Sequence, residues 1–288
     1  MSTQKFKSVT TLLTILLLMT YHGAIFGQQY QCSSLDADPP PVNCGSLAHY
    51  VPGETDPIKT VRIALHVMQR ESPAAKDNFD ENNPAHVAYL NDVINRLNSL
   101  FSDCNVQWCN GAYLQTPQEP DDSRIRFDLT GIYYHRDDAG YNNEDGSYGN
   151  LYCYDNYGVC KDEILNIFLC QIADVTSGYG PSSHVMLFNL YDDYQQYGPN
   201  WWGHGNLLGH EVGHVFGLNH SWVSYQSYPD MCQNPQQNGN WCYPGPNATN
   251  CTNNMMAYSA LNDFISPLQM ARMHYTLIIP IKLRLNVA

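Results

Sequence analysis

His210-Glu211-Val212-Gly213-His214-Val215-Phe216-Gly217-Leu218-Asn219-His220 places three imidazoles and one carboxylate within eleven residues. His210 and His214 are four apart, so on a helix they share one face, one turn from each other. Two imidazoles so placed can grip one zinc ion. Glu211 stands beside them, where a carboxylate can polarise an attacking water. Gly217 lets the chain leave the helix through a left-handed conformation, and that turn can swing His220 back as a third ligand. Three protein ligands leave the fourth tetrahedral position open, which is the pattern of a catalytic site and not of a structural one. A bare five-residue HExxH arises by chance on amphipathic helices; the added glycine and third histidine make this form far more demanding.

Those residues need a scaffold. Val61, Ile63, Leu65 and Val67 alternate and predict a strand over residues 60–68. Val87, Leu90, Val93 or Ile94, Leu97 and Leu100 or Phe101 recur at helical spacing and predict a long amphipathic helix over 85–101. Residues 124–135 read as strand, and 164–170 and 184–190 as short buried strands. Asn206 is a candidate N-cap for the histidine helix. Residues 136–162 are rich in Gly, Asn and Asp and read as a solvated loop; Asp137, Asp138, Glu144 and Asp145 there offer oxygen ligands for Ca2+, without EF-hand spacing. Beyond His220 the chain turns irregular, with Pro229, Pro235, Pro244 and Pro246, until Pro267 opens a final helix to about residue 279. This predicts an α+β chain: a mixed sheet with two helices upstream of the histidine motif, and a loop-rich part ending in a helix downstream.

The extended histidine motif resembles that of the metzincin zinc peptidases. That resemblance demands a methionine turn, and Asn254-Met255-Met256-Ala257-Tyr258 matches it, with Met256 as the turn methionine. By the same resemblance Met256 floors the metal site, a packing role, and Tyr258 ligates the metal or stabilises an oxyanion. Within that clan the chain is similar to the pappalysin family. Val61-Arg62-Ile63-Ala64-Leu65-His66-Val67, Ile125–Leu129, Leu165-Asn166-Ile167-Phe168, Ser177-Gly178-Tyr179-Gly180 and Phe264–Met273 match its segments in order, over roughly residues 55–280. Ala257 departs from the family, which usually has Asp there. The resemblance implies a metzincin-like α+β fold: a twisted mixed sheet with a backing helix and an active-site helix, then an irregular, disulfide-stapled C-terminal subdomain with a terminal helix. It implies one catalytic Zn2+ on His210, His214 and His220, Glu211 as general base, and a peptide or protein substrate paired to a sheet edge near residues 178–181. An astacin-like or matrixin-like peptidase stays open as another member of the clan. So does an exported binding protein that keeps the fold and zinc without turnover, although a site of that kind has no use for Glu211.

The 288 residues carry a net charge of −13, which argues against nucleic acid because phosphate binding needs basic patches. Lys5 and Lys7, an apolar run from Val9 to Met19, then Gly23, Ala24 and Gly27 form the layout of a secretory signal peptide over residues 1–27. Its removal takes two lysines and leaves no segment apolar enough to span a membrane. The expected location is extracellular or periplasmic. All ten cysteines lie beyond residue 27, and an even number in an exported chain reads as disulfides. Residues 28–55, with Pro39-Pro40-Pro41, read as a propeptide or plain N-terminal extension, leaving 56–288 as catalytic domain (56–217 and 218–288 as its subdomains). Cys44-Gly45 resembles the element that blocks zinc in latent relatives, where a thiolate takes the fourth position; a Cys32–Cys44 disulfide is the alternative. His66, His184 and His204 read as structural histidines.

Overall fold

Side chains on both faces of the central strands are apolar, as they must be when a sheet is covered on each side. A computed structural model describes residues 31–32, 47–72, 77–104, 106–109, 112–113, 120–143, 151–171, 177–180, 184–199, 203–224, 228–232, 242, 251–259 and 262–278. The strands are β1 (Gln31–Cys32), β2 (Lys59–Gln69), β3 (Trp108–Cys109), β4 (Ala112–Tyr113), β5 (Ile125–Arg136), β6 (Leu165–Cys170), β7 (Ser177–Tyr179) and β8 (His184–Phe188). Among the described residues, six of them form one sheet in the order β1-β7-β8-β6-β2-β5, and β3 and β4 pair separately. β5, β2, β6 and β8 run parallel, whereas β7 is antiparallel to β8. β1 adds to the free side of β7 in parallel, Gln31 opposite Ser177 and Cys32 opposite Gly178.

One sheet face is covered by α1 (Pro84–Ser102) and, further along the chain, by the histidine helix. Ile63, Leu65 and Val67 of β2, Ile167 of β6 and Val185 of β8 point there, against Leu90, Leu97 and Val212. Asn83 caps α1 by accepting from the Ala85 N–H (3.0 Å), with Pro84 at the first helical position. The opposite face carries Met68, Phe168, Cys170, Met186 and Phe188. Its cover corrects an expectation. Residues 136–162 are not a plain solvated loop; they include α2 (Asp138–Asn142) and α3 (Tyr152–Tyr157), and Tyr141 and Cys153 are buried against that face. Asp137 explains the difference. It caps α2 through the Ala139 N–H (2.9 Å) and accepts from the Tyr152 and Tyr157 hydroxyls (2.9 and 2.7 Å), so an acid that looked like a cation ligand is a structural acceptor. Asp138 accepts from the Glu71 N–H, and Glu144 and Asp145 lie outside the described residues.

The remaining helices are α4 (Leu190–Tyr197), α5 (Gly203–Val215), α6 (Ser221–Ser224) and α7 (Pro267–Ile278). Asn206 does not cap α5. It sits within the helix, accepting from Arg96 Nε (3.2 Å) and donating to Asn262 (3.1 Å). Disulfides join Cys109 to Cys232 and Cys242 to Cys251. Cys104, Cys153, Cys160 and Cys170 are free thiols, so the expectation that all cysteines pair fails for these four. The Cys104 thiol instead donates to carbonyls of α1, the helix just before it, at Leu100 and Phe101. Residues 1–27 and Cys44 lie outside the described residues, and no described helix is long and apolar enough to cross a membrane.

His66, His184 and His204 are buried. His66 bonds His135 and Asn166 (2.9 Å each), His204 bonds Asp193 (3.1 Å) and Tyr89, and His184 stacks on Tyr154 at 4.9 Å. Burial pushes the pKa of His184 down to about 4. A lowered folded pKa means that the folded state resists the proton which the unfolded chain accepts below ~6.5. Stability is therefore complete above that value and drains as the pH falls towards 4. His184→Phe keeps the ring stack and removes the titrating nitrogen. Between about pH 7 and pH 5 the parent is expected to lose roughly 2 kcal/mol more than this variant, measured as urea unfolding free energy; equal losses would contradict the account.

Candidate metal centre

The histidine helix ends as its glycine requires. Gly217 has φ +83°, its N–H bonds the His214 carbonyl (2.9 Å), and the Leu218 N–H bonds the Gly213 carbonyl (2.9 Å). This is a left-handed C-terminal cap closed by a six-residue hydrogen bond. It reverses the chain so that His220 faces His210 and His214. The ring centroids lie 4.9 Å (His210–His214), 5.3 Å (His210–His220) and 4.7 Å (His214–His220) apart. One ligand atom from each of the three lies within 4.8 Å of the others, and this is the metal-competent group among the described residues.

Backbone carbonyls set the tautomers. His210 Nδ1 donates to the Met255 carbonyl and His214 Nδ1 to the Leu218 carbonyl, both at 2.8 Å. A carbonyl only accepts, so in the neutral ring each Nε2 keeps its lone pair. Burial, then the neighbouring His214, pushes His210 down to about 3; burial pushes His214 to about 4; His220 is lowered by burial and by both neighbours. All three are uncharged at neutral pH, the state in which imidazole binds a cation. His210 Nε2 is buried without a hydrogen-bond partner. A bound cation would satisfy it, and three imidazole nitrogens suit zinc. The residues fit the metal.

Glu211 is fully buried on the same helix. β7 lies against it with no room to spare. A Cβ on Gly178 would stand 2.6 Å from the Glu211 side chain, and one on Gly180 would stand 2.1 Å from the Glu211 carbonyl oxygen. The resemblance placed residues 178–181 near the sheet edge; that Gly178 and Gly180 seat the glutamate was not foreseen, because nothing local to those glycines signals it.

Beneath the site runs the methionine turn. The Ala257 N–H bonds the Asn254 carbonyl (2.9 Å), and the Met256 N–H bonds Asn254 Oδ1 (3.0 Å). Met255 and Met256 are buried, and Gly213 leaves space for them, since a Cβ there would stand 2.5 Å from Met256 Sδ. Tyr258 brings its ring to 5.2 Å from His220 and 5.9 Å from His210. Two residues that sequence reasoning did not single out complete the surroundings. Gln269 exchanges two hydrogen bonds with Asn254 (2.7 and 3.0 Å), and also accepts from the Ser266 N–H while its own N–H bonds Ser266 Oγ. Ser266-Pro267-Leu268-Gln269 is thus a capping box, a pattern that could have flagged Gln269. Trp222 stacks on His220 at 4.2 Å.

The sequence matches no protein-family model and no curated protein significantly. The structure aligns with a promirolysin mutant from Tannerella forsythia at TM-score 0.54 and 16% identity, across 96% of this chain and 92% of that one. Mature mirolysin in complex with a cleaved peptide, and mirolysin in complex with a compound, align at TM-score 0.47 and 18% identity over 76% of this chain and 91% of theirs. The chain has the fold of promirolysin. The expected metzincin-like α+β architecture, with its mixed sheet, backing helix and disulfide-bonded C-terminal part, is borne out.

The contact of β7 with α5 yields a direct check. Gly180→Ala puts a methyl into a backbone oxygen and is expected to cost about 1–3 kcal/mol, as over-packing does. Gly53→Ala, whose Cβ would meet only Asp56 at 3.8 Å, is expected to stay within about 0.5 kcal/mol. Urea midpoints of the two variants compare them; equal stabilities would disprove the tight seat.

Proposed function

We propose that this chain is an exported zinc-dependent endopeptidase. The observation that carries the reading is the meeting of three imidazole ligand atoms within 4.8 Å beside a buried glutamate on the same helix. When bound, zinc supplies a Lewis acid that acidifies water and polarises a peptide carbonyl. Glu211 takes the proton of the attacking water and delivers it to the leaving amine. Tyr258, whose ring lies beside those of His210 and His220, contributes a hydroxyl to the developing oxyanion. Met256 serves as the packed floor. The substrate is a peptide laid in extended form beside β7, the short antiparallel strand seated on Glu211, since strand addition reads backbone without demanding a sequence. Two disulfides agree with an oxidising, extracytoplasmic location.

We further propose that the N-terminal extension, residues 28–55, holds the enzyme latent, with Cys44 as the ligand that displaces water. One feature supports this: β1 occupies the side of β7 that an extended substrate would need.

Glu211→Ala is expected to bind one zinc per chain as the parent does, while cleavage of a mixed peptide library falls by a factor of about 10²–10⁴. Zinc loss in the variant, or undiminished cleavage, contradicts the assignment. Deletion of residues 28–46 is expected to raise cleavage by about tenfold or more. It stops short of Leu47, which is buried with Tyr228, Met231 and Ala271. Equal activity with and without the segment would remove the latency proposal and leave the peptidase standing.

A further inference from the structure

Two of the three histidines have their rings fixed by carbonyls; His220 is flanked by aromatic planes. The Trp222 indole lies against it at 4.2 Å with 13° between the rings. Tyr258 closes the angle edge-on, 5.2 Å from His220 and 4.7 Å from Trp222, at 72° and 69°. The backbone makes this return possible. The single turn of α6 starts directly after His220; the Ser221 N–H bonds the Met256 carbonyl (2.9 Å) and the Val223 N–H bonds the His220 carbonyl (3.0 Å). Trp222 is thereby folded back over the residue two places before it. It is only partly buried, so filling the core does not account for it.

We propose that Trp222 is a positioning residue for the metal centre, setting the ring plane of His220 so that its nitrogen meets those of His210 and His214. This rests on the metal reading above. The physical reason is that a parallel stack opposes rotation of the imidazole about its Cβ–Cγ bond: turning the ring out of plane drives its edge into the indole face. The stack also favours the metal-bound state. A ligand imidazole loses electron density to the cation, and a partly positive ring is attracted to the electron-rich face of indole. An aliphatic side chain of similar bulk fills the space but imposes no plane.

The experiment measures zinc affinity of the full chain by competition with a chromogenic chelator, for the parent, Trp222→Ala, Trp222→Leu and Trp222→Phe. The Co2+ absorption band of each is recorded as a second readout, and far-UV circular dichroism confirms folding. Ala and Leu are expected to weaken zinc by about tenfold or more, the range for residues that orient metal ligands. Phe, which restores a flat ring, is expected to stay within about threefold of the parent and to keep its Co2+ band, whereas Leu alters the band. Should Ala fail to fold, the Leu and Phe pair decides. Leu binding zinc as tightly as the parent, with an unchanged band, overturns the proposal and leaves the metal site intact. A parent chain that binds no zinc overturns the metal reading and this inference with it.

Discussion

Two backbone carbonyls, those of Met255 and Leu218, decide where the first two imidazoles point, and much of the structure exists to hold those carbonyls still. The Leu218 carbonyl is delivered by the left-handed cap at Gly217, so it depends on a single glycine at the end of α5. The Met255 carbonyl is delivered by the methionine turn, itself fixed by the Asn254 side chain. Asn254 is in turn gripped by Gln269, which also closes the first turn of α7. A helix that contributes none of the three histidines therefore orients one of them, through a chain of buried hydrogen bonds in which each polar atom has a partner. Removing one member would leave others buried and unpaired, a cost of about 1–3 kcal/mol apiece.

The second constraint is closeness. α5 can approach α1 because Gly205 and Gly209 present no Cβ to Arg96 and Leu100, and it can rest on the methionine turn because Gly213 presents none to Met256. These glycines recur every four residues and form one face of the helix. Gly178 and Gly180 do the same for β7 from another direction. Helix interiors ordinarily disfavour glycine by about 1 kcal/mol each relative to Ala. Here the loss is offset by the close packing of α5 on α1 and on the methionine turn, while Gly178 and Gly180 let the strand close over Glu211.

How much of this was legible follows from how local each signal is. The histidine spacing, the cap glycine and the amphipathic α1 are encoded within one or two turns, and the three imidazoles do come together as that spacing predicts. The buried strands were legible as short apolar runs, and their faces alternate as a doubly covered sheet requires. The cover over residues 136–162 was misread because its polarity comes from Asp137, whose acceptors are used by Tyr152 and Tyr157, fifteen and twenty residues on. The same distance hid the partnership of Gly178 with Glu211 and of Cys109 with Cys232, 123 residues apart. Asn206 looked like a cap because asparagine favours that position, yet Arg96 and Asn262 claim its side chain inside the helix. Trp222 carried no motif at all; only the plane of its ring distinguishes it from ordinary packing.

The sheet edge ties these constraints to regulation under the proposed function. An uncovered strand edge invites pairing with any extended chain, and β7, the strand against the glutamate, would be such an edge without β1. β1 runs parallel to it, Cys32 opposite Gly178, the residue that seats Glu211. A segment of the same chain and an extended substrate would thus contend for one row of backbone groups. Because the contest is over the edge itself, no conformational change need be transmitted to the histidines for the extension to act. The metal group, the methionine turn and the seat of Glu211 can remain built while access alone is controlled. That division agrees with the packing: the parts that orient ligands are deeply buried and mutually bonded, whereas β1 touches the body of the sheet through two residues of β7.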